Sequence, residues 1–196
     1  MDLVQHRTDH PSIIDLLRAD DAQVTSLFAR YVAAESDQSP PAARERLIGR
    51  ICETLSVHRL AEEEVLYPAV RAADDKLVFA FLLAGLGISM LVGKLKEAGT
   101  RASKEDCLRR LMDLVRRNLQ ERSQVLFPFV REKLSGTQLA WLGDDYLQRK
   151  SSLWSIADAP HAPRAVARVK EAVSVRKSAP IPLWRRRSPG DGAPLR

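Results

Sequence analysis

Val65-Leu66-Tyr67-Pro68-Ala69-Val70-Arg71 returns at an offset of 60 as Val125-Leu126-Phe127-Pro128-Phe129-Val130-Arg131. A proline inside a helix-forming run costs a backbone hydrogen bond and bends the chain. Its recurrence after the same apolar-aromatic triplet marks two helices with one matched structural feature. Around both copies strand signals are nearly absent and apolar residues recur with a 3.6-residue period. Working outward, a first helix opens at about Ser12, carries the stripe Ile13, Leu17, Val24, Phe28 and Tyr31, and stops before Ser36-Asp37-Gln38-Ser39-Pro40-Pro41. A second runs from about Ala42 to Ala72 and holds the first copy of the repeat. Asp74-Asp75 open a third helix that ends near Gly99. Ser103, with Asp106 three residues on, reads as the capping start of a fourth that holds the second copy. Ser135-Gly136-Thr137 breaks that helix before a short fifth one reaching about Trp154. The expected fold is all-α: an up-and-down antiparallel four-helix bundle with a short fifth helix over residues 1–155, then a basic Pro/Arg-rich tail, expected to be largely disordered, over 156–196.

The informative residues are polar ones placed on apolar stripes. The first helix's stripe passes through Asp20-Asp21. In the second helix, Ile51, Leu55, Val65 and Ala69 share a face with His58 and Glu62, one turn apart. In the fourth, Leu111, Val115, Val125 and Phe129 share a face with Asn118 and Arg122, and the repeat offset lays Asn118 on His58 and Arg122 on Glu62.

With Ile13-Ile14-Asp15-Leu16-Leu17-Arg18-Ala19-Asp20-Asp21, His58-Arg59-Leu60-Ala61-Glu62-Glu63-Glu64 leading into Leu66-Tyr67-Pro68, Leu126-Phe127-Pro128 and the closing Leu139–Lys150 segment, the chain resembles the hemerythrin-like HHE family of bacterial four-helix bundles over about residues 12–154. The resemblance implies a two-iron centre held by a histidine from the first helix, a His-x-x-x-Glu pair from the second, a histidine from the third and a second His-x-x-x-Glu pair from the fourth. It implies oxygen, nitric oxide or peroxide chemistry, or iron or redox sensing. Only His58 and Glu62 match that ligand set. The first-helix histidine position is Asp21, the third falls near Gly85, and the last pair has become Asn118 and Arg122. A two-iron centre needs several imidazoles and bridging carboxylates, and a guanidinium at a ligand position repels a cation.

Asp21, Glu62 and Arg122 would each be penalised alone in a core, but together they neutralise one another. The expectation is a polar cluster replacing the metal: Arg122 forks onto Glu62 or Asp21, His58 and Asn118 complete the hydrogen bonds, and Gly85 leaves space for a long side chain. The bland reading has Glu62 snorkelling from its glutamate run and Arg122 reaching solvent. No cofactor is expected. The alternative is iron on an altered site of His58, Glu62 and Asp21. His6 and His10 precede Pro11 and read as an exposed segment. No nucleophile, general base or phosphate loop stands out, so the chain reads as a non-enzymatic interaction or regulatory module.

The third helix is apolar on more than one face, from Phe79 through Val92, with Gly85, Ser89 and Gly93 in a small-residue row. Such a helix needs burial on both sides, either under the fifth helix or in a homodimer. Its uncharged run, Leu77 to Gly93, is 17 residues with three glycines, short for a membrane span.

At 196 residues and 45% hydrophobic, the chain can close a core of its own. Cys52 and Cys107 exclude a disulfide framework, and with no leader pattern after Met1 they read as a cytoplasmic protein. The net charge of +6 is concentrated: residues 1–149 hold 21 Lys+Arg against 22 Asp+Glu, a net of −1, and residues 150–196 hold 10 against 3, a net of +7. Arg185, Arg186 and Arg187 beside Trp184 offer nucleic acid, an anionic membrane or a protein partner a contact, against a plain solvated terminus.

Overall fold

The structure is a computed structural model that describes residues 10–157. His6 and the expected tail, with Arg185, Arg186 and Arg187, therefore lie outside the described residues. Six α-helices follow in order: α1 Ile13–Ser36, α2 Pro41–Val70, α3 Asp75–Glu97, α4 Arg101–Glu121, α5 Phe127–Lys133 and α6 Gly136–Ala157. One turn of π-helix, Arg122–Leu126, joins α4 to α5 so that the two continue as a single rod. The result is an all-α, up-and-down antiparallel bundle of α1, α2, α3 and α4–α5, with α6 added.

Local chemistry sets most of the limits. Ser12 caps α1 by accepting from the Asp15 amide at 3.3 Å, and Asp74 caps α3 by accepting from Leu77 at 2.9 Å. Each such cap is worth about 1 kcal/mol. The start of α4 differs from the expected Ser103: Thr100 is the cap, and its Oγ1 accepts from the Ser103 amide at 3.2 Å. Ser103 has a cap's chemistry, but Gly99-Thr100 breaks the chain one turn earlier. The fifth predicted helix is not short either. At 22 residues α6 is as long as the bundle helices, and it buries Leu142, Tyr146 and Leu153.

The repeat is matched in sequence but not in backbone. Pro68 sits inside a helix assigned α throughout, whereas Pro128 follows the π turn, in which the Phe127 amide donates to the Arg122 carbonyl five residues back. A π turn widens the helix where a proline ring would crowd the preceding turn.

The apolar core falls into two sets. Ile13, Ile14, Leu17, Leu66, Val78, Phe81, Leu126, Phe127 and Tyr146 pack at one level, and Val24, Phe28, Ile51, Leu55, Ile88, Val92, Leu108 and Leu111 at another. On α1, α3 and the α4–α5 rod, the residues between these sets are Asp20-Asp21, Gly85 and Asn118 with Arg122, so the polar groups meet at the waist between two apolar layers. The expectation that α3 lies beneath the fifth helix does not hold: Phe79, Leu83, Leu86 and Met90 stand exposed.

Candidate functional site

Arg122 is the largest fully buried side chain of the described residues, with 2% of its surface exposed. It comes from the first position of the π turn, and the ring of Phe127, one π turn on, lies 5.4 Å from its guanidinium carbon. Its Nη1 is 3.1 Å from Asp21 Oδ1 on α1, and its Nη2 is 3.3 Å from Glu62 Oε1 on α2. These are ion pairs at poor hydrogen-bonding angles, so Asp21 Oδ1, Glu62 Oε1 and Arg122 Nε and Nη2 are buried without a hydrogen bond. The stripes allow Arg122 to fork onto Glu62 or Asp21; it reaches both, and the fork is electrostatic rather than bidentate. Burial alone would lower the guanidinium's affinity for its proton, but Glu62 and Asp21 more than reverse that.

His58 fixes the rest of the geometry. Arg122 Nη1 donates to His58 Nε2 at 2.6 Å. An arginine has only donors to offer, so Nε2 accepts and the ring's proton sits on Nδ1. That Nδ1 donates to Asp20 Oδ2 at 3.3 Å, and the Tyr146 hydroxyl donates to the same oxygen at 2.6 Å. Lys150 Nζ donates to the other oxygen, Oδ1. His58 is therefore a neutral imidazole held between a carboxylate and a guanidinium, with both nitrogens occupied.

The two aspartates diverge. Burial would raise the pKa of Asp20, but hydrogen bonds from His58, Lys150 and Tyr146 overcome it and hold the carboxyl at about 2. Asp21 has no such donor. Burial raises its pKa, with the Arg122 guanidinium opposing and Glu62 and Asp20 reinforcing the rise. Two basic side chains, Arg122 and Lys150, face three carboxyl groups, Asp20, Asp21 and Glu62. Tyr146 and Tyr67 are both pushed far up by burial next to these carboxylates and stay protonated.

The stripes thus placed Asp21, His58, Glu62 and Arg122 in one cluster. Asn118 departs from expectation: it lines the adjoining cavity, but its side chain makes no hydrogen bond among the described residues. The donor role assigned to it falls to Tyr146 and Lys150, which no local spacing connects to α1. Gly85 does open space, but the side chain that fills it is Arg59: an added Cβ would meet Arg59 Cδ at 3.3 Å. Arg59 is in turn paired with Glu63. The glutamate run resolves into three separate partnerships, Glu62 with Arg122, Glu63 with Arg59, and Glu64 with Arg149 of α6.

The adjoining cavity holds ≈ 30 Å³ and is lined by Asp21, His58, Glu62, Asn118 and Arg122 with apolar side chains around them. It has room for about one or two waters, with polar partners to hold them.

The sequence profile of the hemerythrin HHE cation-binding domain matches residues 12–130. This chain belongs to that family. The fold is shared with a hemerythrin HHE cation-binding domain-containing protein from Mycobacterium kansasii, which aligns with a TM-score of 0.68 at 17% identity over 81% of this chain and 99% of that one. Among curated proteins, a DNA nickase from Nostoc sp. is 26% identical over 147 residues, 72% of this chain and 40% of the relative. The chain thus spans well under half the length of that relative.

A two-metal centre does not fit the HHE residues present here. His58, the matched imidazole, presents Nε2 to Arg122 at 2.6 Å and Nδ1 to Asp20, and a fixed positive charge already lies between Asp21 and Glu62, the carboxylates that would have to hold the cations.

Proposed function

We propose that this HHE protein is a non-enzymatic interaction or regulatory module in which the guanidinium of Arg122 takes the place of the family's cations. One observation carries the reading: a fully buried Arg122 contacts Asp21, His58 and Glu62 at once, at 3.1, 2.6 and 3.3 Å. A buried cation paired with carboxylates from two other helices holds the bundle's waist together as a metal would, without opening a coordination position or a redox couple.

A second reading is an iron-binding protein with an altered site on His58, Glu62 and Asp21, serving oxygen, nitric oxide or redox sensing. It draws on the family's description and on Asp21 Oδ1 and Glu62 Oε1, two buried acceptors that take no hydrogen bond. Metal content separates the two. Protein expressed with added iron and purified without chelator is expected to be colourless, with far less than one iron or zinc per chain. Stoichiometric metal that disappears in His58→Ala would overturn the first reading. The nickase relative supplies a further check: incubation of supercoiled plasmid with the protein, with and without magnesium or manganese, is expected to yield no open circle. Nicking abolished by a substitution in the cluster would make the protein an enzyme.

A further inference from the structure

Between Lys76 and Lys94, α3 carries no charged side chain. The large side chains it turns to solvent there are Phe79, Leu83, Leu86 and Met90, 54%, 52%, 55% and 57% exposed. Single exposed leucines are ordinary, but steps of four, three and four put these on one face, the spacing of a helix-packing seam. The opposite face of the helix, Val78, Phe81, Ile88, Val92 and Leu95, is already committed to the bundle core.

We propose that this seam is a homodimer interface in which α3 packs antiparallel on α3 of a second copy, about a two-fold axis passing between Ala84 and Gly85. The sequence is self-complementary about that point. Leu83 falls opposite Leu86 of the second copy, Phe79 opposite Met90, and Asp75 opposite Lys94, and each pairing occurs twice because a two-fold interface is isologous. Phenylalanine against methionine is a favourable sulfur–aromatic contact. Asp75 receives Arg71 Nε on Oδ1 at 2.6 Å, which leaves its other oxygen for the lysine. Parallel packing would instead set Asp75 against Asp75 and Lys94 against Lys94.

The area is that of a small, weak interface. Four large side chains about half exposed offer about 400 Å² per chain, against about 800 Å² per partner in a standard interface. Ala80, Leu82 and Ser89 flank the seam and extend it. A bilayer is the rival occupant: the uncharged run alone is short for a span, but the whole of α3, 23 residues, is long and apolar enough to cross one, with a mean hydropathy of 2.1. Crossing would require pulling its buried face out of the core, whereas dimerisation uses the exposed face alone.

Sedimentation equilibrium of the full chain tests the proposal. The protein is expected to be a dimer. Leu83→Glu with Leu86→Glu should weaken association about a hundredfold or more while the far-ultraviolet helical signal stays unchanged. Lys94→Glu alone, and Asp75→Lys alone, should each weaken it about tenfold by setting like charges opposite each other, and the two together should restore it. A monomer at about 100 μM would overturn the dimer. So would a dimer indifferent to the leucine substitutions. Charge variants that fail to rescue one another would overturn the antiparallel register, even if the leucine variant did not fold. A monomer that binds neutral phosphatidylcholine vesicles through Leu83 and Leu86 would assign the seam to lipid instead.

Discussion

Arg122 is buried to 2% exposure and sits against three partners, Asp21, His58 and Glu62. Replacing it by glutamate removes that cation and sets a fourth carboxylate beside Asp21 and Glu62. Breaking a buried pair in this way costs about 3–5 kcal/mol. Arg122→Glu is therefore expected to lower the melting temperature sharply in metal-free buffer, and an unchanged melt would mean that Arg122 is solvated. Asp20 gives a pH signature of known sign. Its carboxyl lies at about 2 in the folded chain, against an ordinary aspartate value of about 3.8. The folded state therefore binds the proton less readily than the unfolded state, and the stability this supplies is full above pH 4 and lost as pH falls towards 2. The shift corresponds to about 2 kcal/mol. Asp21, raised by burial, runs the other way: it takes up its proton at higher pH in the folded chain, so acidification relieves its burial. In urea titrations the deficit of Asp20→Asn against wild type should be about 2 kcal/mol at neutral pH and should shrink below pH 4. A deficit independent of pH would show that Asp20 acts through packing rather than charge.

At the scale of elements, α6 binds the N-terminal segment to the bundle and contributes two donors to the waist. Its Gly143 is fixed by close approach rather than by conformation: an added Cβ would lie 2.2 Å from the Pro11 carbonyl oxygen, a backbone atom that cannot step aside cheaply. The next residue, Asp144, pairs with His10 at 2.9 Å. Gly143→Ala should force the segment off α6 and cost about 1–3 kcal/mol, the usual penalty of overpacking. Protection from hydrogen exchange of the Asp15 and Leu16 amides, which donate to the Ser12 carbonyl, should fall with it, and an undisturbed exchange pattern would contradict the close contact. This contact explains what was readable in advance and what was not. The stripes of α1, α2 and α4 obey a local period, so Asp21, His58, Glu62 and Arg122 could be placed in one core from spacing alone. Tyr146 and Lys150 meet Asp20 only through tertiary packing of a helix whose length the Ser135-Gly136-Thr137 break did not disclose. The π turn was illegible for a related reason: it reflects one shifted hydrogen bond, from Phe127 to Arg122, and Pro68 shows that the same local sequence also fits an α-helix.

Across the whole molecule, charge is partitioned more sharply than hydrophobicity. Residues 1–149 are close to neutral, at −1, and residues 150–196 carry +7. Within the bundle several cations are already paired at home, Arg122, Arg59, Arg149 and Lys150 with carboxylates of α1 and α2 and Lys104 with Glu45. Attraction to a polyanion should then belong to residues beyond the bundle, above all Arg185, Arg186 and Arg187. Unlike the stripes, this inference rests on counting charges and needs no geometry. Such binding releases counterions and is screened, with a Debye length of about 10 Å at 0.1 M salt, so it should be weak and fall steeply as salt rises. Removing residues 160–196 is expected to leave helical content and melting temperature as they were, since the apolar stripes and both copies of the repeat fall before Trp154. The same truncation should abolish salt-sensitive binding to duplex DNA or anionic vesicles. Loss of helix would mean that the bundle depends on those residues, and binding that survives truncation would move the anion-contacting surface onto the bundle itself.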